Sequence, residues 1–185
     1  MIKDHLSKEC KGTLIQTKNH YKLIQKGLNG RKFKLEKIMT GSKDGFSSEK
    51  FNELCVNQGP TLTVIQSHLD LLFGGFTSVN WRKETNSHSQ DESAFIFSLT
   101  KNSIHRPYQN KDYTIFKCGI LAFGGSPSDI YLNDNCNTGM SSHCNLGSTY
   151  SLPEGLIYGS EGAKSYLAGS YQFKVKDFEV FKVIF

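Results

Sequence analysis

One polar stretch holds the residue types that nucleophilic or metal chemistry uses. Cys136, His143 and Cys144 lie close together in sequence, and a thiolate beside an imidazole makes a nucleophile pair or half of a metal site. Their spacing argues against both. Cys-x6-His-Cys is no standard zinc grouping, and neighbours such as His143 and Cys144 project to opposite sides of extended backbone. The stretch Asn133–Gly147 is rich in Asn, Ser and Gly and reads as a surface loop. On that reading Cys136 and Cys144 are solvent-exposed, redox-sensitive thiols.

A second candidate is the carboxylate pair Asp91-Glu92. In a cleft it could do acid/base work; on a loop it would cap backbone amides. His68, His88 and His105 fall in turns and loops with no spaced carboxylate, and read as surface histidines. Cys55 and Cys118 fall on apolar faces, where free cysteine behaves as a small hydrophobe. Cys10 sits in a poorly specified lead. No CxxC, GxGxxG or GxxxxGK[ST] pattern occurs, so no catalytic set, metal site or cofactor is expected.

Whatever the chemistry, strands must position these residues. An apolar stripe of Tyr21, Leu23, Ile24 and Leu28 predicts a helix over Asn19–Leu28, and Phe33–Met39 predicts a strand. Thr40–Gly45 is turn chemistry. Ser47 or Ser48 caps a second helix, whose Phe51, Leu54 and Cys55 share a face and which stops at Asn57-Gln58-Gly59-Pro60. Strands follow at Leu62–Ile65 and Leu69–Phe76, paired as a hairpin, then at Ala94–Leu99, Tyr113–Lys117, Gly119–Phe123, Ile130–Leu132 and Gly169–Phe185. In the last of these Tyr171, Phe173 and Val175 alternate with polar residues before a bulge. Lys83–Glu92, Asn133–Gly147 and Pro153–Tyr166 are the expected surface loops. This pattern predicts a mainly β (α+β) fold, a two-sheet antiparallel β-sandwich with about two flanking helices.

The chain has 185 residues and is 37% hydrophobic, with 13 Phe and 8 Tyr. That suffices for one sizeable core, so disorder and a second independent core are excluded. No apolar run reaches the length of a membrane span, and the N-terminus has no secretory pattern, so a cytoplasmic protein with reduced thiols is expected. Charge is uneven. Residues 1–50 hold 12 Lys/Arg against 5 Asp/Glu, while the remainder hold 10 against 12. The expected organisation is a basic N-terminal arm with a short helix, residues 1–32, followed by a sandwich domain, residues 33–185. The arm lacks the aromatic interleaving of a single-strand binder, so no nucleic-acid partner is expected.

Two phenylalanines are each followed by paired glycines: Phe73-Gly74-Gly75 and Phe123-Gly124-Gly125. Glycine weakens strands, so its repeated use asks for a reason. Bare backbone admits positive φ and lets a strand or a large ring lie flat against it. Trp81 and Phe123 are the available rings. A phosphate cradle would require a motif that is absent here.

The ordered set Asp44-Gly45-Phe46, Phe51 with Cys55, Gly59-Pro60, Phe73-Gly74-Gly75-Phe76 with Trp81, Ala94–Leu99, Phe123-Gly124-Gly125, Asp129–Leu132 and Asp177–Phe181 resembles the TLDc domain across residues 33–185. Leu167–Phe173 is most similar to protist members. The resemblance implies a sandwich in which the glycine pairs mark strand edges, a role in oxidative-stress resistance, and protein partners among the subunits of the vacuolar proton-pumping ATPase; with no catalytic constellation and no membrane-length apolar run in the sequence, a non-enzymatic interaction module without membrane insertion is expected. The alternatives are a hydrolase-like enzyme and a cysteine-based oxidant scavenger.

Overall fold

A computed structural model describes residues 13–83 and 86–185. Residues 1–12, including Cys10, and the pair Glu84-Thr85 lie outside the described residues.

The strands form two antiparallel six-stranded sheets, with four short helices around them among the described residues. The first sheet has the order β1-β12-β2-β3-β5-β6, built from Lys34–Thr40, Val175–Ile184, Thr61–Ser67, Leu72–Thr77, Phe95–Ser98 and Ser103–His105. The second has the order β11-β10-β9-β8-β7-β4, built from Gln172–Phe173, Ser142–Cys144, Ile130–Leu132, Leu121–Phe123, Ile115–Lys117 and Ser87–Ser89. The expected hairpin is present: β2 and β3 pair from Thr61↔Thr77 to Gln66↔Leu72. Its turn is closed by Asp70 in the left-handed region, φ 61°, a conformation that Asp tolerates.

Helices form where caps and stripes predict them. Helix α1, Lys18–Gly27, starts at Thr17, whose hydroxyl accepts the His20 amide N–H. Helix α2 is a single turn, Gly41–Asp44, where the sequence reads as a plain turn. Helix α3, Ser48–Cys55, starts at Ser47, whose hydroxyl accepts the Lys50 N–H, and it buries Phe51 and Cys55. Helix α4, Glu161–Ser165, lies inside a predicted loop and is capped by the Ser160 hydroxyl.

The final strand departs from expectation. The predicted run Gly169–Phe185 breaks at Lys174, so that β11 joins the second sheet and β12 the first. The chain thereby laces the two sheets together. The predicted bulge is present as a register shift between Val175 and Asp177.

Two apolar clusters result. The larger fills the space between the sheets, around Phe51, Phe73, Trp81, Phe123, Tyr150, Phe173 and Phe178. The smaller covers the outer face of the first sheet, where Leu62, Val64, Phe76, Phe95, Phe97 and Phe181 meet Leu23 and Ile24 of α1 and its C-cap residue Leu28. Helix α1 is fastened at both ends. The Leu14 N–H donates to the buried Glu179 carboxylate, which also pairs with Lys37 at 2.7 Å. At the far end the Arg106 guanidinium donates to the Gly27 carbonyl and the Asn29 side chain, and it lies over the Phe95 ring. A cation at the last carbonyls of a helix suits both its dipole and its unpaired acceptors.

The described part of the basic N-terminal segment, residues 13–32, therefore contributes a layer of the structure. Ile24 of α1 is fully buried against the first sheet. Ile24→Ala is expected to cost about 2–5 kcal/mol, the usual range for a large-to-small change in a core. Chemical denaturation reads this loss, and an unchanged midpoint would show that α1 does not depend on this contact.

Candidate functional site

In β3 the residues of Phe73-Gly74-Gly75-Phe76 alternate between faces. Phe73 points inward onto Phe173, with ring centroids 5.6 Å apart, while Phe76 points outward and stacks on Phe95 at 5.3 Å. Each face thus receives one phenylalanine and one glycine. The space beside Gly75 is taken by the Phe123 ring: a Cβ there would lie 2.5 Å from it. The space beside Gly74 is taken by the Thr63 carbonyl and the Phe97 ring. One Phe-Gly-Gly segment therefore supplies the ring that the other's missing side chain admits.

From Phe123 the rings continue. Trp81 meets Phe123 edge to face at 5.7 Å and Phe51 at 5.6 Å, and Phe123 meets Tyr150 at 6.4 Å. The Trp81 indole N–H donates to the Thr61 hydroxyl at 2.9 Å, so the buried indole leaves no polar atom unpaired. Trp81 packs against these rings and the glycines are filled by others, a division of labour that the sequence did not separate.

Gly124 serves a different purpose. Its φ is +90°, and a Cβ would collide with the Asp129 carboxylate. That carboxylate is fully buried and accepts the backbone N–H groups of Gly147, Ser148, Thr149 and Tyr150. Burial pushes the Asp129 carboxyl up to about 7, while the four amides pull it down. Asp129 thus clasps the loop after β10. Asp91 does the same for the loop after β3, accepting from Thr77, Ser78 and Ser93. Burial opposes ionisation of Asp91, but the Ser93, Ser78 and Thr77 donors together hold it below its usual value. The capping role foreseen for the Asp91-Glu92 pair falls to Asp91.

The thiol loop is corrected by the structure. Cys136 and Cys144 are fully buried in the larger core cluster and not exposed on a loop. For Cys144 the reason is β10: Ser142–Cys144 pairs with β9 and β11, turning His143 to the outer face and Cys144 inward; Cys136 is tied instead to the start of β12, its carbonyl accepting the Val175 N–H. Burial raises the Cys136 and Cys55 thiols to about 12 and the Cys144 thiol well above its usual value. Thiolate formation, which oxidation requires, is thereby suppressed at these positions. Cys118 is the half-buried thiol of the described set.

His143 stacks on Tyr131 at 4.9 Å, away from Cys144, and burial lowers its pKa. His105, expected at the surface, is buried between the Ser103 hydroxyl and the Ser151 carbonyl. Among the described residues no group of three His, Cys, Asp or Glu side chains could hold a metal ion.

Sequence reasoning did not single out Lys117, a cation buried beneath Phe51 whose ammonium donates to the Gly119 and Ile120 carbonyls. Burial lowers it to about 8. The available signal was its place between Ile115 and Cys118 in a strand whose alternate residues face inward.

A known family matches along almost the whole chain: a model described as TLD, TLDc domain, covers residues 10–184. The chain belongs to the TLDc family. The match takes in helix α1 as well as the sandwich. Among curated proteins, human interferon-induced protein 44 is 29% identical over 116 residues, 62% of this chain and 24% of that protein. Its Pan troglodytes counterpart is 28% identical over the same shares. The TLDc chain spans about a quarter of the length of these relatives.

The Asp129 clasp has a pH signature. Its folded value lies above the ordinary carboxylate value of about 3.9, so its favourable contribution is complete below about pH 4 and is lost as pH rises through about 7. Asp129→Asn should remove this slope. Denaturation from pH 5 to 8 should show wild type losing stability relative to the variant, by at most about 3 kcal/mol. Parallel pH profiles would show that the group does not titrate there.

Proposed function

We propose that this TLDc chain is a non-enzymatic interaction module that binds and regulates the vacuolar proton-pumping ATPase, and through it supports resistance to oxidative stress. It would act in the cytoplasm and reach membranes through its protein partner. Among the described residues no helix is long and apolar enough to cross a membrane.

The observation that carries this reading is how the interior acids are used. Asp91 and Asp129 spend their oxygens on the amides and hydroxyls of the loops they hold. A group saturated by local donors organises a surface and is poorly placed to turn over a substrate, which needs a free base within reach of its proton. The same clasps hold the loops after β3 and β10 in defined positions, and such rigid loops suit recognition. The fold alone does not choose the partner, and the pump is taken from what the family resemblance implies.

The test uses purified full chain and purified proton pump, intact and as its peripheral sector. Saturable binding in the micromolar range or tighter, with a change in ATP-driven acidification, is expected. Absence of binding to either preparation would overturn the pump assignment.

A further inference from the structure

Strand β6 joins a hydroxyl to an imidazole. Ser103 and His105 stand two residues apart on this strand and so share a face. Their partners across β5 are Ser98 and Ile96, and Ile96 belongs to the cluster between the sheets. Because β6 is the last strand of the first sheet, both side chains face the inter-sheet space at its rim. The Ser103 hydroxyl lies 2.9 Å from His105 Nε2, and His105 Nδ1 lies 2.8 Å from the Ser151 carbonyl oxygen. Ser151 is fixed in turn: its N–H donates to the Arg106 carbonyl, and its hydroxyl accepts the Arg106 N–H. Tyr166, just past α4, donates its hydroxyl to Ser103 Oγ at 3.2 Å and sets its ring edge to face with the imidazole at 5.4 Å.

The direction of each hydrogen bond follows from what each atom is able to do. A carbonyl oxygen only accepts, so Nδ1 carries the ring proton. Burial lowers the His105 pKa, against the pull of the Ser151 carbonyl, which keeps the ring neutral at neutral pH. Nε2 then presents its lone pair, and the Ser103 hydroxyl donates to it. Nucleophile, base and orienting group thus stand in series, the arrangement that activates a serine. His105 is buried, while Ser103 and Tyr166 are half-buried. The base is shielded, and the hydroxyl is open to solvent. The exposed Lys101 holds its ammonium over the Tyr166 ring, 4.2 Å from the centroid.

We propose that Ser103 is an acyl-acceptor serine, loaded by activated esters, with His105 as its base and the Tyr166 hydroxyl as donor to the oxyanion. Ser103 Oγ bonds to the acyl carbon and the ester bond to the leaving alcohol breaks. The Oγ proton passes to His105 Nε2, and the leaving group departs with the bonding electron pair. The hydroxyl of Tyr166, which already points at Oγ, turns to the oxygen on which charge develops. His105 then returns its proton to solvent, and the acyl group stays on Ser103. This is one covalent loading and entails no turnover, so it goes beyond the interaction-module reading without resting on it.

The probe is p-nitrophenyl acetate, added to the full chain across a series of pH values on both sides of neutrality. Peptide mass mapping reads the rate at which each serine gains an acetyl group. Ser103 should be acetylated at least about a hundredfold faster than the exposed Ser126, the gain that a positioned base supplies. Its rate should level off above about pH 6.5, the ordinary histidine value, because the base is fully neutral there. Ser126, without a base, should keep gaining as hydroxide rises. Tyr166→Phe should slow Ser103 at least about tenfold, and His105→Gln should bring it down to the Ser126 rate. Thermal melting checks that both variants fold, and the wild-type pH profile reads His105 without altering a buried residue. Acetylation of Ser103 no faster than that of Ser126, a Ser103 rate that climbs without levelling, or a rate indifferent to Tyr166→Phe overturns the proposal. Pump binding tests the module reading separately.

Discussion

The structure depends on one ring lying against bare backbone. Phe123 of the second sheet occupies the space that Gly75 of the first leaves empty, and any side chain at position 75 would meet it. Stacked sheets normally sit about 10 Å apart, held at that distance by interdigitated side chains. Here one position in the middle of the first sheet carries no side chain, so a large ring from the opposite sheet reaches the main chain. The backbone entropy that glycine costs in a strand is offset by burial of an aromatic ring.

That contact organises what surrounds it. Phe123 is the hub of edge-to-face contacts with Trp81 and Tyr150, and each partner leads to a loop clasped by a buried acid. Trp81 precedes Arg82 and lies beside the segment that Asp91 holds. The Tyr150 N–H is one of four that converge on Asp129, whose carboxylate needs the missing side chain of Gly124. Both Phe-Gly-Gly segments therefore serve a common geometry in different ways. The first makes room for a ring, the second for a carboxylate at a left-handed turn.

Much of this was legible in the sequence because its signals are local. The β2-β3 hairpin, the Ser47 cap and strand Ile130–Leu132 follow from periodicity and turn chemistry, and the ring-on-glycine packing follows from the pairing of Phe with Gly-Gly. The remainder depends on contacts distant in sequence. Strand β10 is Ser-His-Cys, without an apolar pattern, and exists because β9 and β11 supply its hydrogen bonds. That is why Cys144 reads as exposed and is buried; Cys136 is drawn in by the start of β12, whose Val175 N–H donates to its carbonyl. The switch of sheets at Lys174 leaves no mark on the alternation of either half. The Asp129 clasp brings together groups about 20 residues apart, with only the neighbouring glycine as a hint.

As a TLDc member the chain presents rigid loops on a double-layered scaffold whose outer face is closed by α1, and the functional reading rests on that rigidity. A double-mutant cycle between positions 75 and 123 tests the central contact most directly. Gly75→Ala alone should cost about 1–3 kcal/mol through overpacking. In a Phe123→Leu background the same substitution should cost less, giving a coupling of at least about 1 kcal/mol. Additivity of the two changes within about 0.5 kcal/mol would contradict the account, because it would mean that the ring and the glycine do not meet.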